Sequence, residues 1–259
     1  MNARRDLQGG YDPAHFAQLA AVEDSHFWFR ARNLIISRIA AGIAAGFGPP
    51  YKVLEMGCGN GNVLRFLEKA CSGATAIGMD LYGEGLAFAR GRVASPLIQG
   101  DVRCAPFATA FELIGMFDVL EHISDDLAIL KHTKTLLAPN GRLLLTVPAH
   151  QFLWSDFDVA AGHCRRYECG ALREKLEATG YEVEFLSEYM MALYPLMWLS
   201  RKTGRQRENP QDTVERNLKV VPVVNSVMLA ALEWEAAWLA NRRRLPAGSS
   251  IVAIARLAA

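Results

Sequence analysis

The stretch from Val53 to Asn62 reads VLEMGCGNGN. An apolar run carries an acid, Glu55, and then Gly57, Gly59 and Gly61 follow at alternate positions, with a helical pattern directly after them. This order predicts a strand, a tight turn and a helix N-terminus. Glycine lets the backbone pass close under a bound ligand, where a β-carbon would collide. Turns and nucleotide sites share such a fingerprint, so its context decides its meaning. Here one acid precedes the first glycine. A second acid, Asp80, ends the run ATAIGMD, where a dinucleotide-type pattern places one roughly 20 residues on.

Strand and helix alternate outward from this turn. The predicted strands are Tyr51 to Met56, Ala74 to Asp80, Pro96 to Gly100, Glu112 to Leu120, Arg142 to Val147, Tyr181 to Glu188 and Ser250 to Leu257. The predicted helices are Asn60 to Cys71, Gly83 to Val93, Ser124 or Asp125 through Leu137, and Glu168 to Thr179 with Gly180 as its left-handed stop. The turn PNG precedes the fifth strand. Connections of this length mean a parallel sheet with right-handed crossovers. Before the first strand, Phe27, Ala31, Ile35, Ile39 and Ile43 recur every fourth residue, which predicts a helix that GFGPP ends.

The chain has 259 residues, enough for one large α/β core. A net charge of +1 gives no electrostatic case for nucleic acid. The five cysteines form no CxxC, and their odd number argues against a disulfide framework, so a cytoplasmic location is expected. The N-terminus has no apolar core of a secretory signal, and no uninterrupted apolar run reaches the roughly 18 residues of a membrane span.

ExGCGxG, an acid ending the next strand, Gly100-Asp101 and then FDVLEH from Phe117 to His122 resemble, in order and spacing, the class I S-adenosylmethionine-dependent methyltransferase superfamily. A bacterial small-molecule branch, similar to the ubiquinone-type methyltransferases, is the nearest likeness. The resemblance implies a Rossmann-like, doubly wound α/β sheet of seven strands, mostly parallel with an antiparallel last strand. It implies a cofactor-binding core over 51–188 and 250–257, an N-terminal helical cap over 1–50, and a helical insertion over 189–249. The family joins its last two strands by a short hairpin, whereas about 60 residues intervene here.

The resemblance also implies S-adenosylmethionine as cofactor and S-adenosylhomocysteine as product. Asp80 would accept from the ribose diol, with Leu81 beside it. Asp101 would accept from the adenine amino group, with Val102 against the ring. Gly57, Gly59 and Gly61 would line the methionine moiety and ribose. Glu55 would hold the turn by accepting backbone N–H bonds or would contact the cofactor's amino group, and Cys58 would pack in the turn. Asp118 would stand near the methionine tail. In ubiquinone-pathway relatives Asp118, Glu121 and His122 would together hold a divalent metal. The same DxLEH pattern is widespread without one, and no metal is expected here.

Two further blocks point at the acceptor. HFWFRARN opens the N-terminal helix, and its Trp28 and Phe29 fall off the apolar stripe; Arg30 or Arg32 would meet a carboxylate or phosphate on the substrate, or equally form a solvated helix face. LWSDFDVAAGHCRRY follows the fifth strand and holds Trp154, Asp158, His163, Arg165, Arg166 and Tyr167, of which Trp154, Arg166 and Tyr167 are the substrate candidates. The insertion adds Met191 and Tyr194 as pocket residues, with Pro195 expected to kink its first helix and Arg242 to Arg244 ending its second. Packing alone would equally explain these helices. The general base is sought among His163, His150 and His122, because histidine titrates near neutral pH.

The function expected is in-line methyl transfer to a small-molecule acceptor by a monomer or homodimer, with peripheral membrane contact left open. The alternatives are other chemistry on the same cofactor, such as intramolecular cyclisation, and a non-catalytic cofactor-binding subunit.

Overall fold

The computed structural model describes residue 13 and residues 15–202 and 222–258. The polar stretch from Gly204 to Arg216 and the extreme N-terminal arm lie outside them. Seven strands form one sheet: β1 (Tyr51–Met56), β2 (Ala74–Asp80), β3 (Leu97–Gln99), β4 (Phe111–Phe117), β5 (Leu137–Pro148), β6 (Tyr181–Tyr189) and β7 (Ser250–Leu257). Their order is β3-β2-β1-β4-β5-β7-β6. The strands from β3 to β5 run parallel, and β7 is antiparallel to both neighbours. Parallel strands are covered on both faces, which is why β1 and β4 read as near-continuous apolar runs.

The chain leaves β1 toward β2 on one side and returns through β4 on the other. In such sheets the crevice outside the carboxyl ends at this switch point takes the ligand. The ends of β1, β2 and β4 supply Gly57, Asp80 and Asp118.

Helices cover both faces: α1 (His15–Val22), α2 (Phe27–Ala44), α3 (Leu64–Ala70), α4 (Gly83–Ala89), α5 (Asp126–Leu136), α6 (Asp156–Ala160), α7 (Cys169–Ala178), α8 (Tyr194–Lys202) and α9 (Pro222–Ala240). One core layer joins Ile35, Ile39, Leu64 and Leu232, and the other joins Leu130, Leu143 and Leu172. Ile35, Ile36 and Ile39 are sealed from solvent, each worth roughly 1.5–3 kcal/mol of burial. Thus α2 is a core helix.

Several boundaries differ from expectation. Helix α3 begins only at Leu64, because the preceding turn holds Gly61 at φ +72°. The residues PNG lie within β5, where the ladder slips between Phe111 and Leu113 and pairs Leu113 with Arg142. Pro195 does not kink α8. It sits in the first turn, where a missing amide costs nothing.

The insertion is anchored. Met190 leaves β6 at φ +62°, and buried Glu235 on α9 accepts from the amides of Met191 (3.0 Å) and Ala192 (2.9 Å). Asn225 accepts from the Phe27 amide at 2.7 Å and donates to the Ser25 carbonyl at 3.1 Å, so the start of α9 is tied to the start of α2. Among the described residues, α9 alone is long and apolar enough to cross a membrane; Glu233 and Glu235 interrupt its apolar run.

Candidate active site

A cleft of about 900 Å³ opens over the carboxyl ends of β1, β2 and β4. Its glycine turn is held by the backbone and by Asp80. The Gly57 and Cys58 amides donate to the Met79 carbonyl at 2.7 and 3.0 Å. The Gly59 amide donates to Asp80 Oδ2 at 2.7 Å, and the Tyr82 amide to Asp80 Oδ1 at 2.8 Å. Gly57 has φ +81°, and a β-carbon there would stand 2.4 Å from Val119 Cγ2.

Glu55 therefore does not hold the turn. It is buried in the cleft wall, and its Oε2 has no hydrogen-bond partner. Burial pushes its carboxyl well up, against the pull of Arg32, and Asp80 pushes it further. Asp80 is likewise raised by burial, with its amide donors opposing. Burial, with Glu55 and Asp80 close by, also pushes the Cys58 thiol up, so Cys58 is a packing residue.

Of the cofactor candidates, Glu55, Gly57, Cys58, Gly59, Asp80, Leu81, Asp101, Val102 and Asp118 all line the cleft. Gly61 does not. Its backbone packs on α4, where a β-carbon would meet Ala89 Cβ at 3.0 Å. The Asp101 carboxylate is gripped by Arg103, with Nε at 3.0 and 2.9 Å and Nη2 at 2.6 Å. Burial raises this carboxyl, but the Arg103 bonds outweigh it and hold it below its ordinary value.

Trp28 and Phe29 line the cleft, and Phe29 is buried there although it lies off the apolar stripe. Arg30 is exposed and outside the lining. Arg32 lines the cleft but is paired within the chain: its guanidinium lies 5.0 Å from the Trp28 ring and 2.6 Å from Asp118 Oδ2.

The acceptor-side loop is ordered by Asp158, which is buried at the N-terminus of α6. Asp158 Oδ1 lies 2.8 Å from His163 Nδ1 and accepts from Arg166 Nε at 2.8 Å; Oδ2 accepts from Arg166 Nη2 and from Ser155. Burial would raise the Asp158 carboxyl, but His163 and Arg166 together hold it below its ordinary value. An ionised carboxylate accepts only, so His163 carries its proton on Nδ1 and presents Nε2. That Nε2 lies 3.9 Å from Glu121 Oε1. Glu121 is fully buried, neither oxygen is hydrogen-bonded, and burial followed by Asp118 pushes its carboxyl well up. Burial and His163 push His122 down to about 3.

Glu121, His122 and His163 bring their ligand atoms within 4.8 Å of one another, the one set among the described residues able to hold a metal. His163 stands in this set where the sequence pattern had Asp118, which is turned toward Arg32.

The other acceptor candidates are committed within the fold or lie outside the cleft. His150 is bonded between Glu168 (2.9 Å) and Glu188 (3.0 Å) and does not line the cleft. Tyr167 is buried and donates to Asp126 Oδ2 at 2.9 Å, a packing role. Arg166 lines the cleft, yet its guanidinium is committed to Asp158 and the Ala149 carbonyl. Trp154 is half-buried outside the lining. From the insertion, Leu193, Leu196 and Met197 line the cleft rather than Met191 or Tyr194; the Tyr194 ring meets His150 and Phe152 instead. The sequence offers Asp158 in this loop and Glu121 as a metal-ligand alternative, but it does not foretell their placement beside His163. The SxxD spacing of Ser155 and Asp158, a capping box, was the available signal.

Comparison with known proteins agrees with this geometry. A family model described as a methyltransferase domain matches residues 26–185. A probable S-adenosylmethionine-dependent methyltransferase of Mycolicibacterium smegmatis is 27% identical over 171 residues, covering 64% of this chain and 63% of that protein. A ubiquinone biosynthesis O-methyltransferase of Actinobacillus pleuropneumoniae is 33% identical over 106 residues, covering 37% of this chain and 44% of that protein. The chain thus spans less than two thirds of either relative. Among solved structures, a TehB-like S-adenosylmethionine-dependent methyltransferase from Corynebacterium glutamicum aligns with TM-score 0.56 at 19% identity, over 95% of this chain and 100% of that one, a likeness of fold. With the glycine turn, the acids ending β1 and β2 and the switch-point cleft in place, the chain belongs to the methyltransferase domain family.

Proposed function

We propose that the protein transfers a methyl group from S-adenosylmethionine to a small-molecule acceptor by in-line displacement. One observation carries this reading. A single cleft is lined by Glu55, Asp80 and Asp101 and also by His163, which buried Asp158 holds from behind. The cofactor's residues fit it. Each Asp80 oxygen keeps a lone pair beyond its amide bond, which suits a ribose diol. The orphaned Glu55 Oε2 and the cationic Arg32 suit the amino and carboxylate ends of an amino acid tail. Asp101 and Val102 remain for the adenine, with Asp101 shared with Arg103.

The cofactor supplies an electrophilic methyl carbon. The chain's own contribution is alignment, worth up to roughly 7–11 kcal/mol in well-oriented systems, and removal of the acceptor's proton. His163 Nε2 accepts that proton. Asp158, bonded to Nδ1, stabilises the imidazolium that forms. A cytoplasmic location belongs to the same proposal, supported by five free cysteines.

The test is product analysis. Purified protein with cofactor and cell extract should release S-adenosylhomocysteine, and a deletion strain should accumulate a metabolite lighter by one methylene. Methylthioadenosine in place of S-adenosylhomocysteine would mean attack on the aminobutyryl chain and would overturn the proposal.

A further inference from the structure

Helix α9 has two dissimilar faces. Leu232, Glu235, Ala236 and Leu239 are buried inward. On the other side Val223, Val227 and Trp234 succeed one another at helical spacing and are 76%, 58% and 54% exposed. Ala230, Ala231 and Ala237 extend the same exposed side. Glu233 is the one exposed acid on the helix. An exposed apolar stripe this long marks an interaction surface rather than ordinary scatter.

What lies at its end identifies the partner. The Trp234 and Trp238 rings stack 5.2 Å apart, and the Arg243 guanidinium stands 4.8 Å from the Trp238 ring. Arg242, Arg243 and Arg244 are all exposed directly after the helix. Arg38 of α2 reaches the Glu233 carbonyl at 3.4 Å. Tryptophan beside arginine, bordering an apolar helix face, suits the boundary between acyl chains and anionic headgroups. Arginines beside an apolar helix face suit an anionic leaflet, which attracts each exposed cation.

We propose that α9 lies in the plane of an anionic lipid bilayer, with Val223, Val227 and Trp234 in the acyl boundary and Arg243 and Arg244 on the headgroups; Arg242 stays over the Phe185 ring at 5.6 Å. The helix does not span. Glu235 is locked inside the fold by the Met191 and Ala192 amides, and the inward face packs along α2. The start of α9 is held by Asn225 to Phe27, which lines the cleft, and Leu196 on α8 lines it while 57% exposed. A docked bilayer therefore lies beside the cleft. This surface stands independently of methyl transfer, since its binding is read without any turnover.

The experiment is flotation of the purified full chain with phosphatidylglycerol or phosphatidylcholine vesicles. The protein should float with phosphatidylglycerol, and raised salt should release it. V227E/W234E should abolish flotation, and R243E/R244E should weaken it at least about tenfold. Circular dichroism and cofactor calorimetry should match the wild type in both, because all four positions are exposed and outside the cleft. Wild-type flotation of V227E/W234E, or no flotation of the native chain, overturns the proposal. Equal binding to phosphatidylcholine overturns the anionic assignment. A dimer by light scattering that V227E/W234E dissociates would make the stripe a contact between two copies of this chain, again overturning it.

Discussion

Arg32 Nη1 on α2 lies 2.6 Å from Asp118 Oδ2, the residue that follows β4 in the left-handed conformation at φ +57°. Both side chains are largely buried, and the guanidinium also faces Trp28 and Phe29 at 5.0 and 5.7 Å. The pair clamps the N-terminal helix to the switch point and places a cation beside Glu55. Non-glycine residues in this backbone region cluster at functional sites.

Arg32→Met should leave Asp118 and Glu55 without their cation. The expected result is at least a tenfold loss of cofactor affinity by calorimetry and about 2 kcal/mol of stability by chemical denaturation. Arg32→Lys should recover part of the affinity, because it restores charge without the planar fork. Wild-type affinity in Arg32→Met would remove Arg32 from the cofactor site.

The two turn glycines should respond differently. Gly57→Ala drives a β-carbon to 2.4 Å from Val119 Cγ2, while Gly59→Ala meets only Phe16 at 3.5 Å and pays for φ +49° alone, about 1–2 kcal/mol. The melting temperature of Gly57→Ala should fall further, and Val119→Ala should recover part of that fall in the double variant. Equal melting temperatures for the two single variants would refute the steric account.

Asp158→Asn should lower kcat about a hundredfold and leave cofactor affinity intact. The lost carboxylate no longer stabilises the imidazolium that forms on His163 during proton transfer. Wild-type kcat in this variant would assign the base elsewhere.

Stability should fall in acid through His122. Its ring is held near a pKa of about 3 in the fold, against 6.5 unfolded, first by burial and then by His163. Between these values the unfolded chain binds the extra proton. The contribution is present above pH 6.5 and lost as pH drops toward 3, with a slope of up to about 1.4 kcal/mol per pH unit. His122→Gln should flatten that limb in denaturation titrations. Glu121 has the opposite sign, because its raised carboxyl favours the folded state below 4.5 and loses that contribution as pH rises. Glu121→Gln should therefore stabilise the protein on the alkaline side.

Much of the cofactor half was legible in the sequence. Tyr51–Met56, Ala74–Asp80 and Ser250–Leu257 are strands at the limits their residues predict, since buried strands announce themselves by unbroken apolar runs. Gly57, Asp80 and Asp101 face one cleft because a short motif fixes its own geometry. The acceptor half was less legible. Trp154, Tyr167 and His150 look reactive in a polar loop, yet they lie outside the cleft while His163 lines it. Side-chain direction there depends on what Asp158, Glu168, Glu188 and Asp126 can bind.

The sequence by itself determined the strands, the glycine turn and the acids at the strand ends, because each is marked by a local run of residue types. Only the tertiary structure decided that Arg32 rather than Arg30 meets the site, that Glu121 stands 3.9 Å from His163, and that Leu196 rather than Met191 lines the cleft. These pairings join residues far apart along the chain. Their burial, charge and direction are set by packing that no local pattern encodes.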